Sequence, residues 1–421
     1  LPTFTLAVRG ALLADGEYLA PALWKVTAGR TTSLSSESGD DAELLDAVLL
    51  PGLVNAHTHL DLAGTEPVRP TGGFTDWLLD VRKARGAESD VTVGAGAQAR
   101  RLAARGVTAV GDIDASGGRA LQARRDVPLD GVSYLEIVGV NRDSARARLG
   151  QALELVDRFG PGVGLSPHAS YSVHQDVLPE IARAAVRRGV RLAMHLAETP
   201  EEERFLRHGD GPFEEFLATI DRGRPFDSPP GVGPVEYAER AGLLAAGCVV
   251  VHGNELDDDD IERLARHGCS VVYCHGTHRH FDRPPHRIAD LLQSGVNVAL
   301  GTDSGMSNQG VDLYSETCRL SRERSDLDPV ALLRCATLGG RTALGLDACT
   351  ALFAAGTRAD ASLLCDVPDD VESMTGRAVA EWVFSGSATL ATTIHAGVVG
   401  TIDEKAPAAL RALLDSVTKR G

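Results

Sequence analysis

Lysine is scarce in this chain of 421 residues. Only Lys25, Lys83, Lys405 and Lys419 stand among its 42 basic residues, and the rest are arginine. Positive charge as a whole falls short of negative, 42 Lys and Arg against 58 Asp and Glu, for a formal net charge of −16. That balance argues against a nucleic-acid polymer as partner, because phosphate binding needs a basic surface. It leaves room for a single nucleotide or nucleoside in a pocket. The seven cysteines form no CxxC pair and are odd in number. Both a disulfide framework and a zinc ribbon are therefore unexpected, and a reducing cytoplasm is the expected compartment. No apolar run approaches the roughly 18 residues of a membrane span. The first residues show no basic region followed by an apolar stretch, so no signal peptide is expected. Apolar residues still make up 43 % of the chain, which excludes global disorder. The length suits one large α/β domain and a smaller one.

Eight short β-branched or apolar runs read as strands: 49–56, 107–113, 132–138, 163–167, 191–196, 248–251, 270–274 and 297–301. Between most of them lie stretches of helical periodicity, at 144–158, 176–188, 257–267 and 286–293. This alternation predicts an α/β fold, a (β/α)8 TIM-like barrel over residues 49–349. The alternative, a doubly wound sheet, would normally carry a Gly-rich phosphate loop after its first strand, and none is present.

The two ends read differently. Residues 1–48 hold alternating runs and an Asp15-Gly16 turn, and residues 350–421 hold similar runs near 361–364, 380–384 and 392–399. Neither end is long enough for a comfortable core, so a composite β-sandwich from both ends, flanking the barrel, is the expectation. The Pro/Gly-rich stretch 222–234 reads as a long loop and a candidate lid.

A barrel places its chemistry at the C-terminal ends of its strands. Those ends are polar here. The first run leads into His57-Thr58-His59, whose i, i+2 spacing on an extended chain puts both imidazoles on one face. Two neutral imidazoles aimed at one point suit a transition metal, most often zinc. His195 and Asp303, at two further strand ends, supply a third and a fourth ligand. Glu198 follows His195 by three residues and can reach the space beside the metal as an acid/base, although Thr199-Pro200-Glu201-Glu202-Glu203 also reads as a helix start. His252 closes the sixth strand and can hydrogen-bond the nucleophile or the charge that develops on the substrate. Glu136, His168 and Ser304, near other strand ends, are expected substrate contacts.

Phe74 and Trp77, in a loop after the first strand, are expected to stack on a planar ring. His174, His208, His267 and His395 read as surface residues. His275, His278, His280 and His286 read as a loop lining the pocket, near a ribose or an acidic substituent. The run Asp257–Asp260 reads as a helix cap.

These residues together resemble the amidohydrolase superfamily over nearly the whole chain. The marks are Pro51-Gly52-Leu53-Val54-Asn55-Ala56-His57-Thr58-His59, Ser166-Pro167-His168, His195-Leu196-Ala197-Glu198-Thr199, Val251-His252-Gly253 and Gly301-Thr302-Asp303-Ser304. The branch it is most similar to holds the cytosine, guanine and adenosine-type deaminases and the triazine chlorohydrolases. The resemblance implies a distorted barrel, a flanking sandwich and a hydrolytic metal held by His57, His59, His195 and Asp303. Two-metal members commonly bridge their ions with a carboxylated lysine at the end of strand four. Here that position is His168, and the only lysine between residues 26 and 404 is Lys83. One divalent ion is therefore expected, zinc or, as the alternative, iron.

The closer resemblance is to aminodeoxyfutalosine deaminases and to adenosine and S-adenosylhomocysteine deaminases. It is carried by His57-Thr58-His59-Leu60-Asp61-Leu62, the Phe74/Trp77 segment, Gly209-Asp210-Gly211-Pro212-Phe213 and Asp282-Arg283-Pro284-Pro285-His286-Arg287. It implies hydrolytic deamination of a 6-aminopurine nucleoside, with Glu198, His252 and Asp303 catalytic, and a place in menaquinone biosynthesis. Cys274-His275-Gly276-Thr277-His278 departs from the branch's usual Cys-Pro-Arg-Ser/Thr-like segment. Guanine, cytosine or pterin deamination and triazine dechlorination stay open as alternatives. The expected partner is a small heteroaromatic molecule, with no membrane, and a homodimer is compatible with the sequence.

Overall fold

The computed structural model describes residues 2–36, 43–65, 67–69, 72–85, 90–220, 223–346, 352–408, 410–412 and 414. Eight parallel strands form the barrel: β1 (Leu53–Thr58), β2 (Val107–Asp114), β3 (Asp130–Ile137), β4 (Val163–Pro167), β5 (Leu192–Leu196), β6 (Cys248–His252), β7 (Ser270–Tyr273) and β8 (Asn297–Leu300). Each strand pairs with the next in sequence, without the order reversal of a doubly wound sheet. β8 returns to β1 through a parallel bridge between Thr58 and Asp303 and through the Asn55 side chain, which holds Thr302.

The barrel interior follows the period of two. Val54 and Ala56, Val132 and Tyr134, and Val249 and Val251 share one inner cluster, while Val110, Leu135, Val250 and Val271 face the surrounding helices. Gly111 faces inward where a Cβ would come within 2.2 Å of the Ala56 carbonyl oxygen, so no larger residue fits there.

The run at 49–56 is two strands. Leu44–Pro51 belongs to the flanking sheet and β1 begins at Leu53, with Gly52 between them. Gly52 marks the passage because a Cβ there would meet the Thr108 side chain at 2.3 Å. The flanking unit is built from both chain ends, and its strands belong to one continuous mixed sheet. Leu44–Pro51 runs parallel to Phe4–Leu12 and antiparallel to Ala361–Cys365. Alternation divides its faces: Leu45, Ala47 and Leu49 pack with Trp24, while Val48 and Leu50 join the main core.

The run at 380–384 is helical, not extended: it lies in the helix Gly376–Ser385. Thr375 caps that helix by accepting from Ala378 N–H, and Val379, Ala380, Val383 and Phe384 fall on its buried stripe. The stretch at 223–233 is a loop, but it does not line the central cavity. Its Phe226 is buried against Phe205 at 4.9 Å between ring centroids. Arg222, in the same stretch, lies outside the described residues. Among the described residues no helix is long and apolar enough to cross a membrane.

Candidate active site

The strand ends converge on one buried group. His57, His59, His195, His252, Glu198 and Asp303 are all under 10 % exposed. Asp303 Oδ1 lies 3.5 Å from both His57 Nε2 and His59 Nε2, and His59 Nε2 lies 3.3 Å from His195 Nε2. Ligand atoms of His57, His59 and Asp303 fall within 4.8 Å of one another, as do those of His57, His195 and His252.

A bulge makes this convergence possible. Asn55 pairs with Val110 but Thr58 pairs with Asp112, so β1 carries one residue more than β2 over this span. The extra residue reverses the alternation after Ala56 and turns His57 and His59 inward, with ring centroids 4.9 Å apart. Three further site positions sit in left-handed backbone: Ala197 at φ +51°, His252 at +73° and Asp303 at +57°. Such angles cost energy in non-glycine residues and gather at functional sites.

The group fits a single divalent metal ion. Both ring nitrogens of His57 are buried without a conventional hydrogen-bond partner. Two imidazole Nε2 atoms held 3.3 Å apart need a cation or a proton between their lone pairs. The second oxygen of Asp303 is occupied elsewhere, since the Thr277 and Ser307 hydroxyls each donate to Oδ2 at 2.9 Å. That leaves Oδ1 toward the histidines. His195 Nδ1 lies 2.9 Å from the His168 carbonyl oxygen, which fixes the ring so that Nε2 faces the site. Lys83 lies far from any such role, exposed and paired with Asp80.

Electrostatics separate the acid from the bases. Burial pushes the Glu198 carboxyl well above the ordinary carboxylate range, and the nearby Asp303 and Glu202 add to it. Burial also keeps His252 and His195 well below the usual imidazole value, hence neutral. Burial alone would raise Asp303, yet His57, His59 and His252 hold it well below the usual range.

A cavity of about 490 Å³ opens onto this group. The expected contacts Phe74, Trp77, Glu136, His168 and Ser304 all line it. Phe74 and Trp77 stand on the helix Phe74–Arg85 and not in a loop, with ring centroids 5.5 Å apart. Phe281 packs against both, and Arg283 lies over the Phe74 and Phe281 rings. Glu136 Oε1 lies 3.9 Å from His168 Nε2.

Four histidines read as a pocket-lining loop lie elsewhere. His275, His278 and His280 belong to the short helix His275–His280, and none of these three nor His286 lines the cavity. His275 and His278 surround the Tyr273 hydroxyl, and His286 stacks on the Tyr273 ring. His286 Nε2 also lies 3.0 Å from the His252 carbonyl oxygen, which steadies the end of β6. His174 and His395 are buried, contrary to the surface reading, and His395 Nε2 contacts the Ala103 carbonyl oxygen at 3.1 Å. Asp257 and Asp260 do form a reciprocal capping box on the helix Asp258–Arg266.

Sequence reasoning missed Tyr171, Thr277, Ser307, Arg82 and Arg148. Tyr171 lines the cavity and stacks on Phe213 at 4.0 Å. Arg82 and Arg148 border the cavity from two different helices. No local pattern marks any of these five, because each acquires its role only through the neighbours that folding supplies.

Comparison with known proteins agrees with this geometry. The model of the amidohydrolase family matches residues 48–400. The aminodeoxyfutalosine deaminase of Deinococcus radiodurans is 32 % identical over 321 residues, covering 72 % of this chain and 75 % of that protein. The structure of Helicobacter pylori aminofutalosine deaminase in complex with methylthio-coformycin superposes with a TM-score of 0.79 at 19 % identity, over 94 % of this chain and 100 % of that one. A zinc-bound adenosine deaminase from Xanthomonas campestris gives 0.74 at 22 % identity, over 99 % and 98 %. The two structural likenesses establish the fold.

Proposed function

The chain belongs to the amidohydrolase family, and from that premise we propose that it is a metal-dependent hydrolytic deaminase of a 6-aminopurine nucleoside. The reaction replaces the ring C–NH2 bond with a C–O bond from water and releases ammonia. The observation that carries the proposal is the placing of Glu198. It is a buried carboxyl with a raised pKa, beside a cluster of histidines and an aspartate that could hold a metal ion, in a cavity walled by aromatic rings.

A divalent ion held by His57, His59, His195 and Asp303, zinc in this reading, would supply the Lewis acidity that makes water a nucleophile near neutral pH. Glu198 carries the proton that the ring nitrogen beside the amino carbon receives, which makes that carbon more electrophilic. Asp303 accepts the proton that water loses and passes it to the departing amino group, which leaves as ammonia, while the proton of the new hydroxyl returns to Glu198. Neutral His252, with Nε2 3.5 Å from Glu198 Oε1, is placed to hydrogen-bond the oxygen arriving at the attacked carbon. Phe74 and Trp77 hold the ring plane, and Glu136, His168 and Ser304 offer polar contacts to its edge and to the sugar.

Farther out, Leu78, Val81, Val138 and Phe216 line the cavity, and Arg82 and Arg148, both exposed, border it. This lining suits a nucleoside with a partly apolar substituent that ends in an acidic group. It favours aminodeoxyfutalosine over adenosine, and with it the menaquinone pathway that the sequence resemblance implies. We place the protein in the cytoplasm, because its six described cysteines are unpaired and buried.

The test is an absorbance and ammonia-release screen with metal analysis. The substrates are adenosine, S-adenosylhomocysteine, methylthioadenosine, aminodeoxyfutalosine, guanine and cytosine, with a chlorotriazine followed by chloride release. Turnover of a 6-aminopurine nucleoside by protein carrying about one metal ion supports the proposal. Turnover of guanine or cytosine alone, or chloride release from a chlorotriazine, overturns it.

A further inference from the structure

Glu202 is fully buried, which is unusual for a glutamate in the first turn of a helix. It occupies the third position of the helix Pro200–His208, whose cap is Thr199; the Thr199 hydroxyl accepts from Glu202 N–H at 3.1 Å. In a capping box the glutamate would return the bond to the N–H of the cap residue. Here it reaches one residue farther back, where Oε2 accepts from Glu198 N–H at 2.9 Å. Its Oε1 accepts from the Ser170 hydroxyl at 2.5 Å. Ser170 belongs to the segment after β4 that also carries His168 and Tyr171, both cavity residues.

The Glu198 peptide is gripped from its other side as well, since Asn254 Nδ2 donates to the Glu198 carbonyl at 3.1 Å. Just before it stands Ala197 in left-handed backbone, whose carbonyl accepts from Glu255 N–H at 2.9 Å. A strained peptide persists only where its surroundings over-determine it. Burying a carboxyl is costly, and here burial pushes it up to about 7. A helix cap needs no such burial, because an exposed glutamate serves a helix N-terminus equally well.

We propose that Glu202 is a positioning residue for the reaction: its carboxyl fixes the Glu198 backbone and, through Ser170, couples it to the substrate-facing segment 168–172. The inference rests on the reading of Glu198 as the catalytic acid. The contribution of Glu202 to the chemical step is placed at Glu198, so its removal should lower kcat mainly while Glu198 can do chemistry.

A double-mutant cycle on the metal-loaded enzyme tests it, with the nucleoside substrate that the screen identifies. Glu202→Ala is expected to lower kcat on the order of 10²-fold, with KM and metal content within about twofold of the parent. In a Glu198→Gln background the same change is expected to cost less than about twofold, because coupled residues are not additive. Independently of any substrate, amide exchange at residues 197–199 should speed up about tenfold while β5 and β6 keep their protection. An unchanged kcat, a full loss that persists in the Glu198→Gln background, or metal loss in step with activity overturns the proposal. Should Glu202→Ala fail to fold, Ser170→Ala runs the same cycle. A lowered kcat that vanishes on Glu198→Gln supports the coupling, and an unchanged or additive effect overturns it. If Glu198→Gln itself keeps full turnover, it is the reading of Glu198 that falls.

Discussion

Glu198 Oε1 lies 3.5 Å from His252 Nε2, and burial drives the two groups in opposite senses. Burial favours the protonated form of the carboxyl and the neutral form of the imidazole. A proton donor and an uncharged hydrogen-bonding ring therefore face the same small volume, beside the side chains that would hold the metal. Pairs of titratable groups whose surroundings push them apart mark acid/base assignments.

Glu198→Gln keeps the shape of the side chain and removes the transferable proton. We expect kcat to fall by about 10²- to 10⁴-fold with metal content unchanged. Steady-state kinetics alongside elemental analysis checks this. Parental turnover in the variant would refute the assignment of Glu198.

His57→Ala removes a ligand whose two ring nitrogens have no conventional hydrogen-bond partner. Its bound metal should drop at least about tenfold in dialysed protein, in line with the loss of a direct ligand. Chelation of the parent should abolish activity, and zinc or iron should restore it. A full metal load in His57→Ala contradicts its role as a ligand.

Trp77→Ala opens the aromatic wall that Trp77 forms with Phe74 and Phe281. KM should rise about tenfold, the scale of a lost ring contact, while metal content stays constant. A KM equal to that of the parent would remove Trp77 from the substrate site.

Glu316 links the loop after β8 to the helix His275–His280. It accepts from Asn308 Nδ2 at 2.6 Å and Gly276 N–H at 3.2 Å. Burial pushes its carboxyl up from the ordinary 4.5 to about 8. Between these pH values the native state holds a proton that the unfolded chain has released. Its contribution to stability is therefore full below about 4.5 and is lost as pH rises through about 8. Glu202 acts in the same sense up to about 7. Thermal midpoints measured from pH 7 to 8.5, above the range in which the buried histidines raise stability with pH, should fall with rising pH, and Glu316→Gln should flatten that slope. Equal slopes in parent and variant would contradict it.

Much of the fold was legible because barrel strands are local signals. Runs such as Val249–Val251 are apolar over a strand's length and lie between helical stretches of 3.6-residue period. The helix Gly376–Ser385 was misread because Ala380–Phe384 is a short apolar run, and periodicity over five residues does not separate a buried strand from a buried helix. The division at Gly52 escaped notice because both strands around it are apolar and only their partners differ.

The sequence by itself determined the order of the barrel strands and the chemical types at their ends. Two histidines at i, i+2, a later His-x-x-Glu and a late aspartate are enough to call for a metal and an acid. Only the tertiary structure decided how those residues meet. The β1 bulge turns His57 and His59 inward, and barrel closure brings Asp303 to within 3.5 Å of both. The same closure sends His275, His278 and His286 to Tyr273 and away from the cavity. Identity and spacing are properties of the chain. Direction depends on register, backbone dihedrals and neighbours distant in sequence, and these exist only once the barrel has closed.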